Sequence, residues 1–301
     1  MVLSKFSAHL GADLAAKPVL QPYPGWVLGA GQSASLQTRS RRTIWRLLQN
    51  PFVVPWLDEL RLTLYPGNET SRSIFVTGLY EPNEFFLLSQ ILRPGMTFVD
   101  VGANMGLYTL YAARRVGTAG CALAIEPSRR ELSILENNIR LNALKNVRVR
   151  ANALSDEASE VELLVAQARH SGHNTLGAFG YNTPLDHREK AQANLLDDVL
   201  AAEGLPRVDV LKMDIEGSEL KALRGAALTL QHDHPVLLLE LSDRALQHQN
   251  ASSADILSLL AQYGYKAYGF DAHTGLPTRL EKKSYFDSEN IIAVAGDSVP
   301  W

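Results

Sequence analysis

The segment Phe98-Val-Asp-Val-Gly-Ala-Asn-Met-Gly106 constrains this chain more than any other. A strand-forming run enters glycines, and a helical pattern leaves them. Gly102 lets backbone come close to a ligand, and Gly106 opens a helix whose unpaired N–H groups attract an anion. An ordinary tight turn would use the same residues, so the downstream chain decides their meaning. After Gly106 the pattern strand, turn, helix repeats. Strands are expected at 97–101, 121–125, 146–152, 208–212 and 236–239, and helices at 106–116, 128–142, 217–230 and 254–263. Such alternation predicts an α/β fold, a mostly parallel sheet covered on both faces. Strands at 266–270 and 290–294, joined only by a loop, predict an antiparallel last strand. Ligands in such sheets bind beyond the carboxyl ends of the strands.

The glycines are spaced Gly-x-x-x-Gly, and Asn104 stands where a dinucleotide fingerprint has its second glycine. That glycine makes room for a pyrophosphate. S-adenosylmethionine has a carboxylate there instead and does not need the room. The next strand ends in Ile125-Glu126-Pro127, which puts an acid about 20 residues on, where it can accept both ribose hydroxyls. The expected fold is therefore a Rossmann-like sheet holding S-adenosylmethionine. Gly102, Asn104 and the helix start at Gly106 would hold the methionine carboxylate. Asp100 would pair with the ammonium, directly or through water, and Glu126 would take the ribose. Asn152, closing the third strand, reads either as a partner of the adenine amine or as a turn residue.

These motifs resemble the FkbM-type methyltransferases. The likeness runs from Tyr80-Glu-Pro82 to Asn290-Ile-Ile-Ala-Val294. It is carried by Asp100-Val-Gly-Ala-Asn-Met-Gly106, Glu126-Pro127, Ala153-Leu-Ser-Asp156, Leu211-Lys-Met-Asp-Ile-Glu-Gly217 and Pro235-Val-Leu-Leu-Leu-Glu240. Ile125 departs from the aromatic residue that many members have there. The resemblance implies a class I methyltransferase fold, S-adenosylmethionine as donor, and usually O-methylation of a hydroxyl on a sugar or natural product. Residues 80–301 are then the methyltransferase domain. Residues 1–79 form an N-terminal extension with short strands at 61–65 and 73–76, and its first fifty or so residues match no such pattern.

Methyl transfer to an alcohol needs the acceptor oxygen held in line with the leaving sulfur and a base to take its proton. Asp214, ending the fourth core strand, and Glu240, ending the next, are candidates, although Asp214 also fits as a helix N-cap. Glu216 reads as a first-turn acid facing a helix dipole, and Lys212 as a residue on a sheet face and not in the pocket. The loop His170-Ser-Gly-His-Asn-Thr175 supplies His173, and less strongly His170, as a neutral base. Surface histidines would look the same. Asp214 and Glu240 could also hold a divalent metal, with Asp243 as a third ligand. Two aligned acids fall short of an oxygen shell, so a metal-free reaction is expected.

Two other classes share the fold. A nicotinamide oxidoreductase would need pyrophosphate room at Asn104, and a non-catalytic S-adenosylmethionine-binding protein would not need Asp214 and Glu240. No Gly-x-Ser-x-Gly hydrolase elbow occurs. Where adenine-directed nucleic-acid methylases carry Asn/Asp-Pro-Pro-aromatic, this chain has Asp214-Ile-Glu-Gly217. A formal net charge of −3 gives no overall basic surface, and the run Arg39, Arg41, Arg42 and Arg46 reads as a solvated helix face. The partner expected is a small-molecule acceptor, with no nucleic acid; the oligomeric state is open. The lone Cys121 sits in an apolar strand and allows no internal disulfide. Residues 1–20 lack a leader pattern, and no run approaches the roughly 18 apolar residues of a membrane span. Cytoplasmic residence is the resulting expectation, and the Asn-x-Ser/Thr triplets at Asn68 and Asn250 then count as chance.

Overall fold

Val, Leu and Ile runs between turn residues make the strands, and 3.6-period apolar stripes make the helices that cover them. The computed structural model describes residues 36–205, 207–280, 283–296 and 299–301. The turn-type residues Pro22-Tyr-Pro-Gly25 and the leader question at 1–20 lie outside them.

The described residues begin with α1 (Leu36–Leu47), β1 (Phe52–Pro55), β2 (Arg61–Leu64), α2 (Glu69–Thr77) and α3 (Pro82–Ile91). The alternating core comes next as β3 (Thr97–Val101), α4 (Leu107–Val116), β4 (Cys121–Ile125), α5 (Arg129–Leu141) and β5 (Val147–Arg150). An excursion then contains β6 (Asn152–Leu154), β7 (Ser159–Ala166) and β8 (Leu185–Asn194). The chain returns through α6 (Leu196–Glu203), β9 (Val210–Met213), α7 (Glu219–Arg224), β10 (Val236–Leu241), α8 (Asp243–Gln247) and α9 (Ser253–Gln262). It closes with β11 (Tyr265–Phe270), β12 (Pro277–Arg279) and β13 (Glu289–Ala295).

The main sheet has the order β12-β11-β13-β10-β9-β3-β4-β5. From β10 to β5 every pairing is parallel, and β13 runs antiparallel between β10 and β11. The mostly parallel sheet and its antiparallel last strand are those expected from sequence. Successive side chains face opposite layers. Phe98, Val210, Leu238 and Ile292 pack into one core, and Val99, Val101, Leu211, Met213, Leu237 and Leu239 into the other. The strand order reverses at β3, between β4 and β9, which is where such sheets bind ligands.

Three expected elements differ. Residues 73–76 belong to helix α2 and not to a strand. Asn68 caps that helix by accepting the Ser71 N–H at 2.8 Å, and Gly78, left-handed at φ 86°, ends it. The helix expected at 217–230 stops at Arg224. A Cβ on Gly225 would stand 2.2 Å from the Ser155 carbonyl oxygen, so the chain turns there to pack against that backbone. Beyond the His170–Thr175 loop, where no strand was expected, the chain forms β8, a polar, exposed strand paired with β7 over most of its length.

Residues on both sides of position 80 share a core. Trp45, Leu60, Leu62, Leu64, Ile74 and Phe75 pack in one cluster with Phe85, Leu88, Leu110 and Tyr111. The open edge of β2 is closed by amides of α5. Asn142 exchanges two hydrogen bonds with the Arg61 backbone, and Asn138 accepts the Thr63 N–H at 3.1 Å. In α1, Arg39 and Arg46 are exposed while Trp45 is buried, in keeping with the solvated face read for that run. Among the described residues, no helix is long and apolar enough to cross a membrane.

Candidate functional site

Strand register assembles the site. Val101 lies opposite Ile125 on one side and Met213 on the other, and Met213 lies opposite Leu239. The residues just beyond them, Gly102, Glu126, Asp214 and Glu240, therefore emerge level at the carboxyl edge of the sheet. All four line a cavity of about 440 Å³, a size suited to a small molecule.

The glycine turn needs three left-handed residues: Gly102 at φ 74°, Asn104 at 49° and Gly106 at 90°. A Cβ on Gly102 would stand 1.9 Å from the carbonyl oxygen of Asp214, so β9's approach demands glycine there. A Cβ on Gly106 would stand 2.5 Å from Leu135 Cδ1. Gly106 seats α4 against α5 and is not itself among the residues that line the cavity, whereas its neighbours Met105 and Leu107 are. Asn104 does line the cavity, with its Nδ2 donating to the Ser171 carbonyl at 3.1 Å.

Glu126 is buried at the end of β4. Its two oxygens accept the N–H of Asn104 at 2.8 Å and of Ser128 at 3.0 Å. Burial pushes its carboxyl up to about 7 against the pull of those two bonds. Asp100 is placed otherwise than expected. It is fully buried behind the turn and is not among the lining residues; Oδ2 accepts from Thr109 Oγ1 at 2.5 Å, and Oδ1 has no hydrogen bond. Asn152 opens β6 and does not close the third core strand. It lines the cavity and donates to Asn194 Oδ1 at 2.6 Å.

Lys212 faces the same side of the sheet as Asp100, its register partner. Its long stem then climbs past the Tyr108 ring, 5.2 Å from the centroid, to the cavity. Nζ donates to the Gly102 carbonyl at 3.1 Å and lies 3.6 Å from both Asp100 and Asp214. Burial alone would lower its pKa, but Asp214, Asp100, Glu81 and Glu240 hold it up at about 12. The expectation that Lys212 stays out of the pocket is thus corrected; length carries an amine around a corner that period-2 reasoning closes.

The N–H groups after Asp214 are not capped by Asp214. Glu219 accepts those of Ile215 at 3.0 Å and Gly217 at 3.1 Å, taking the helix-start role read for Glu216. Glu216 instead stands left-handed at φ 51° on the cavity wall. Single oxygens of Asp214, Glu216 and Glu240 lie within 4.8 Å of one another, and that trio has the geometry to hold a hard cation. Asp243 is not the third member: its carboxylate accepts from Ser253 N, Ser253 Oγ and Phe286 N. Burial and then Asp214 hold Glu216 and Glu240 well above the carboxylate range.

The β7–β8 loop covers this end. Residues 169–176 line the cavity, tied down by Asn68 to Ser171, Asn104 to Ser171 and Thr175 to the Glu216 carbonyl. His173 Nδ1 lies 2.7 Å from Thr183 Oγ1, and its ring stacks 5.7 Å from that of His170. Burial, then His170, lowers its pKa, which favours neutral imidazole. His170 faces Glu69 at 3.2 Å. Opposite the loop stands Glu81, unassigned from sequence. Its signals were its place in Tyr80-Glu-Pro82, where the family likeness begins, and the proline after it, which suits the first turn of a helix.

A doubly wound Rossmann-like sheet with a cavity at its glycine turn defines a broad class of α/β proteins. Residues 100–267 match the Methyltransferase FkbM domain, and the chain belongs to that family. It is 33% identical over 153 residues to methyltransferase sdnD of Sordaria araneosa, covering 42% of this chain and 59% of that one. It is 30% identical over 160 residues to 31-O-demethyl-FK506 methyltransferase FkbM of Streptomyces tacrolimicus, covering 44% and 60%. The match spans less than two thirds of the length of these curated relatives. A crystal structure of methyltransferase FkbM from Methylobacillus flagellatus KT superposes with a TM-score of 0.42 at 18% identity, covering 74% of this chain and 54% of that one.

Proposed function

We propose that the protein transfers a methyl group from S-adenosylmethionine to a hydroxyl oxygen of a small molecule. One observation carries the reading: the glycine turn, Glu126, Asp214, Glu240 and His173 all line a single cavity. When bound, the donor supplies an electrophilic methyl on a sulfonium. Glu126, beside the turn, accepts the ribose hydroxyls. The methionine moiety lies against the glycine turn, with Gly102 and Asn104 forming that stretch of wall. Asn152 is the adenine-side candidate.

At the acceptor end His173 is the base. In the tautomer whose Nδ1–H donates to Thr183 Oγ1, Nε2 carries the lone pair that takes the hydroxyl proton. Asp214 and Glu240 hold the acceptor by hydrogen bonds. Lys212 already faces Asp214 and supplies positive charge to this end of the cavity. The reaction therefore runs without metal, and EDTA should leave turnover unchanged. Loss with EDTA and recovery with Mg²⁺ would assign the three carboxylates to a cation instead.

Against a nicotinamide cofactor stands the Asn104 side chain, pinned to Ser171 where a pyrophosphate would need space. The Streptomyces relative acts, by its name, on 31-O-demethyl-FK506, which supports an oxygen acceptor on a natural product. A binding scan tests the donor. S-adenosylmethionine and S-adenosylhomocysteine should raise the melting temperature and nicotinamide dinucleotides should not. The reverse order would assign the cavity to an oxidoreductase, and donor binding with no methylated product from any hydroxyl compound would favour a non-catalytic role.

A further inference from the structure

The sulfonium donor carries an ammonium that needs a negative partner, and Asp100 is fully buried, does not line the cavity, and is held by Thr109 and Lys212. At the acceptor end, Asp214 faces Lys212 at 3.6 Å and Glu240 is bonded by Ser288. Glu126 lies on the β4 side of the turn. On the β9 side, Glu81 lines the same cavity.

Two elements aim its carboxylate. Tyr108 Oη donates at 2.6 Å, and Asn290 Nδ2 donates at 3.1 Å. Tyr108 lies in the first turn of α4, the helix launched by the glycine turn, so Glu81 is anchored to the turn itself. Its backbone is left-handed at φ 45°, a conformation that a non-glycine residue keeps only where its surroundings enforce it. Removal from bulk water and the nearby Asp214 raise its pKa, outweighing Tyr108, Lys212 and Asn290. An arriving cation would relieve that.

We propose that Glu81 receives the ammonium of the donor's methionine moiety, so that two carboxylates, Glu81 and Glu126, bracket the glycine turn. The inference rests on the donor assigned above. It replaces Asp100, whose carboxylate supports Lys212 and the turn from behind.

Calorimetry with three ligands tests it: S-adenosylhomocysteine, its analogue lacking only the amino group, and 5′-methylthioadenosine. Glu81→Gln should lower affinity for S-adenosylhomocysteine by about tenfold or more, the scale of one charge-assisted hydrogen bond. It should change the other two within about twofold. Glu126→Gln should weaken all three. Tyr108→Phe, which removes one anchor while leaving the charge, should give a smaller loss confined to S-adenosylhomocysteine. Equal losses for all three ligands with Glu81→Gln, or none, would overturn the assignment. So would an ammonium-selective loss with Asp100→Asn. If the unaltered protein binds none of the three, the donor reading itself falls, and this inference with it.

Discussion

Glu126 accepts backbone N–H groups from Asn104 and Ser128, so it supports the turn it is proposed to serve. Glu126→Ala should weaken S-adenosylmethionine by about 2–3 kcal/mol in calorimetry, the scale of a charged group that loses two good partners. Since the carboxylate form accepts the ribose hydroxyls and burial sets its pKa at about 7, affinity should also fall as pH drops through 7. Unchanged affinity in the variant would remove Glu126 from the site. His173→Ala should lower turnover by about a hundredfold or more with donor affinity intact. The acid limb of its pH–rate profile should lie below histidine's ordinary 6.5, because burial and His170 lower its pKa. A variant that turns over normally would leave positioning as the account. Residue types and spacing made Glu126, Asp214 and Glu240 legible. They could not reveal that Asp100 is fully buried and does not line the cavity, since facing and depth differ among residues of one strand. Nor could they place Glu81, which reaches the cavity from outside the alternating pattern, through a left-handed backbone.

At the scale of elements, the strand-turn-helix core was readable because its strands are short runs rich in Val, Leu, Ile and Ala that alternate with turn residues and helical patterns. The misreadings have physical causes. Ser73-Ile-Phe-Val76 is β-branched and short, and a run of that length fits either period; the Asn68 and Gly78 caps decide for helix. The strand β8 pairs with β7 but buries little, so it shows no alternation to read. The glycine turn was legible as a turn, but its reason was not. The Asp214 carbonyl approaches Gly102 so closely that the position requires glycine even without a donor. Gly102→Ala should therefore damage the fold as well as binding. Its left-handed backbone alone costs about 1–2 kcal/mol, before any collision. Gly172→Ala, in the covering loop where a Cβ meets no atom within 4 Å, should leave the denaturation midpoint nearly unchanged. Equal midpoints for the two variants would show that β9 can yield at no cost.

Across the whole molecule, buried carboxyls set the response to acid and base. Burial, the leading cause in each, raises Glu84 to about 8, and Glu126 and Glu219 to about 7, from an ordinary 4.5. Between those values the folded chain keeps protons that the unfolded chain has released, so stability is present at low pH and lost as pH rises through 7 to 8. Each group adds a slope of up to about 1.4 kcal/mol per pH unit within its window. Melting temperature without ligand should fall from pH 5 to pH 8; a rise over that interval would show that these carboxyls are ionised in the fold. The shared core of Trp45, Leu62 and Phe75 with Phe85 and Tyr111 has a consequence for gene architecture. An open reading frame cut to begin at residue 80 would lose its partner surface for α3 and α4, and with Asn68 a tether of the covering loop. Any fusion that transplants this catalytic cassette must carry residues 45–79 along, or its product will partition into inclusion bodies.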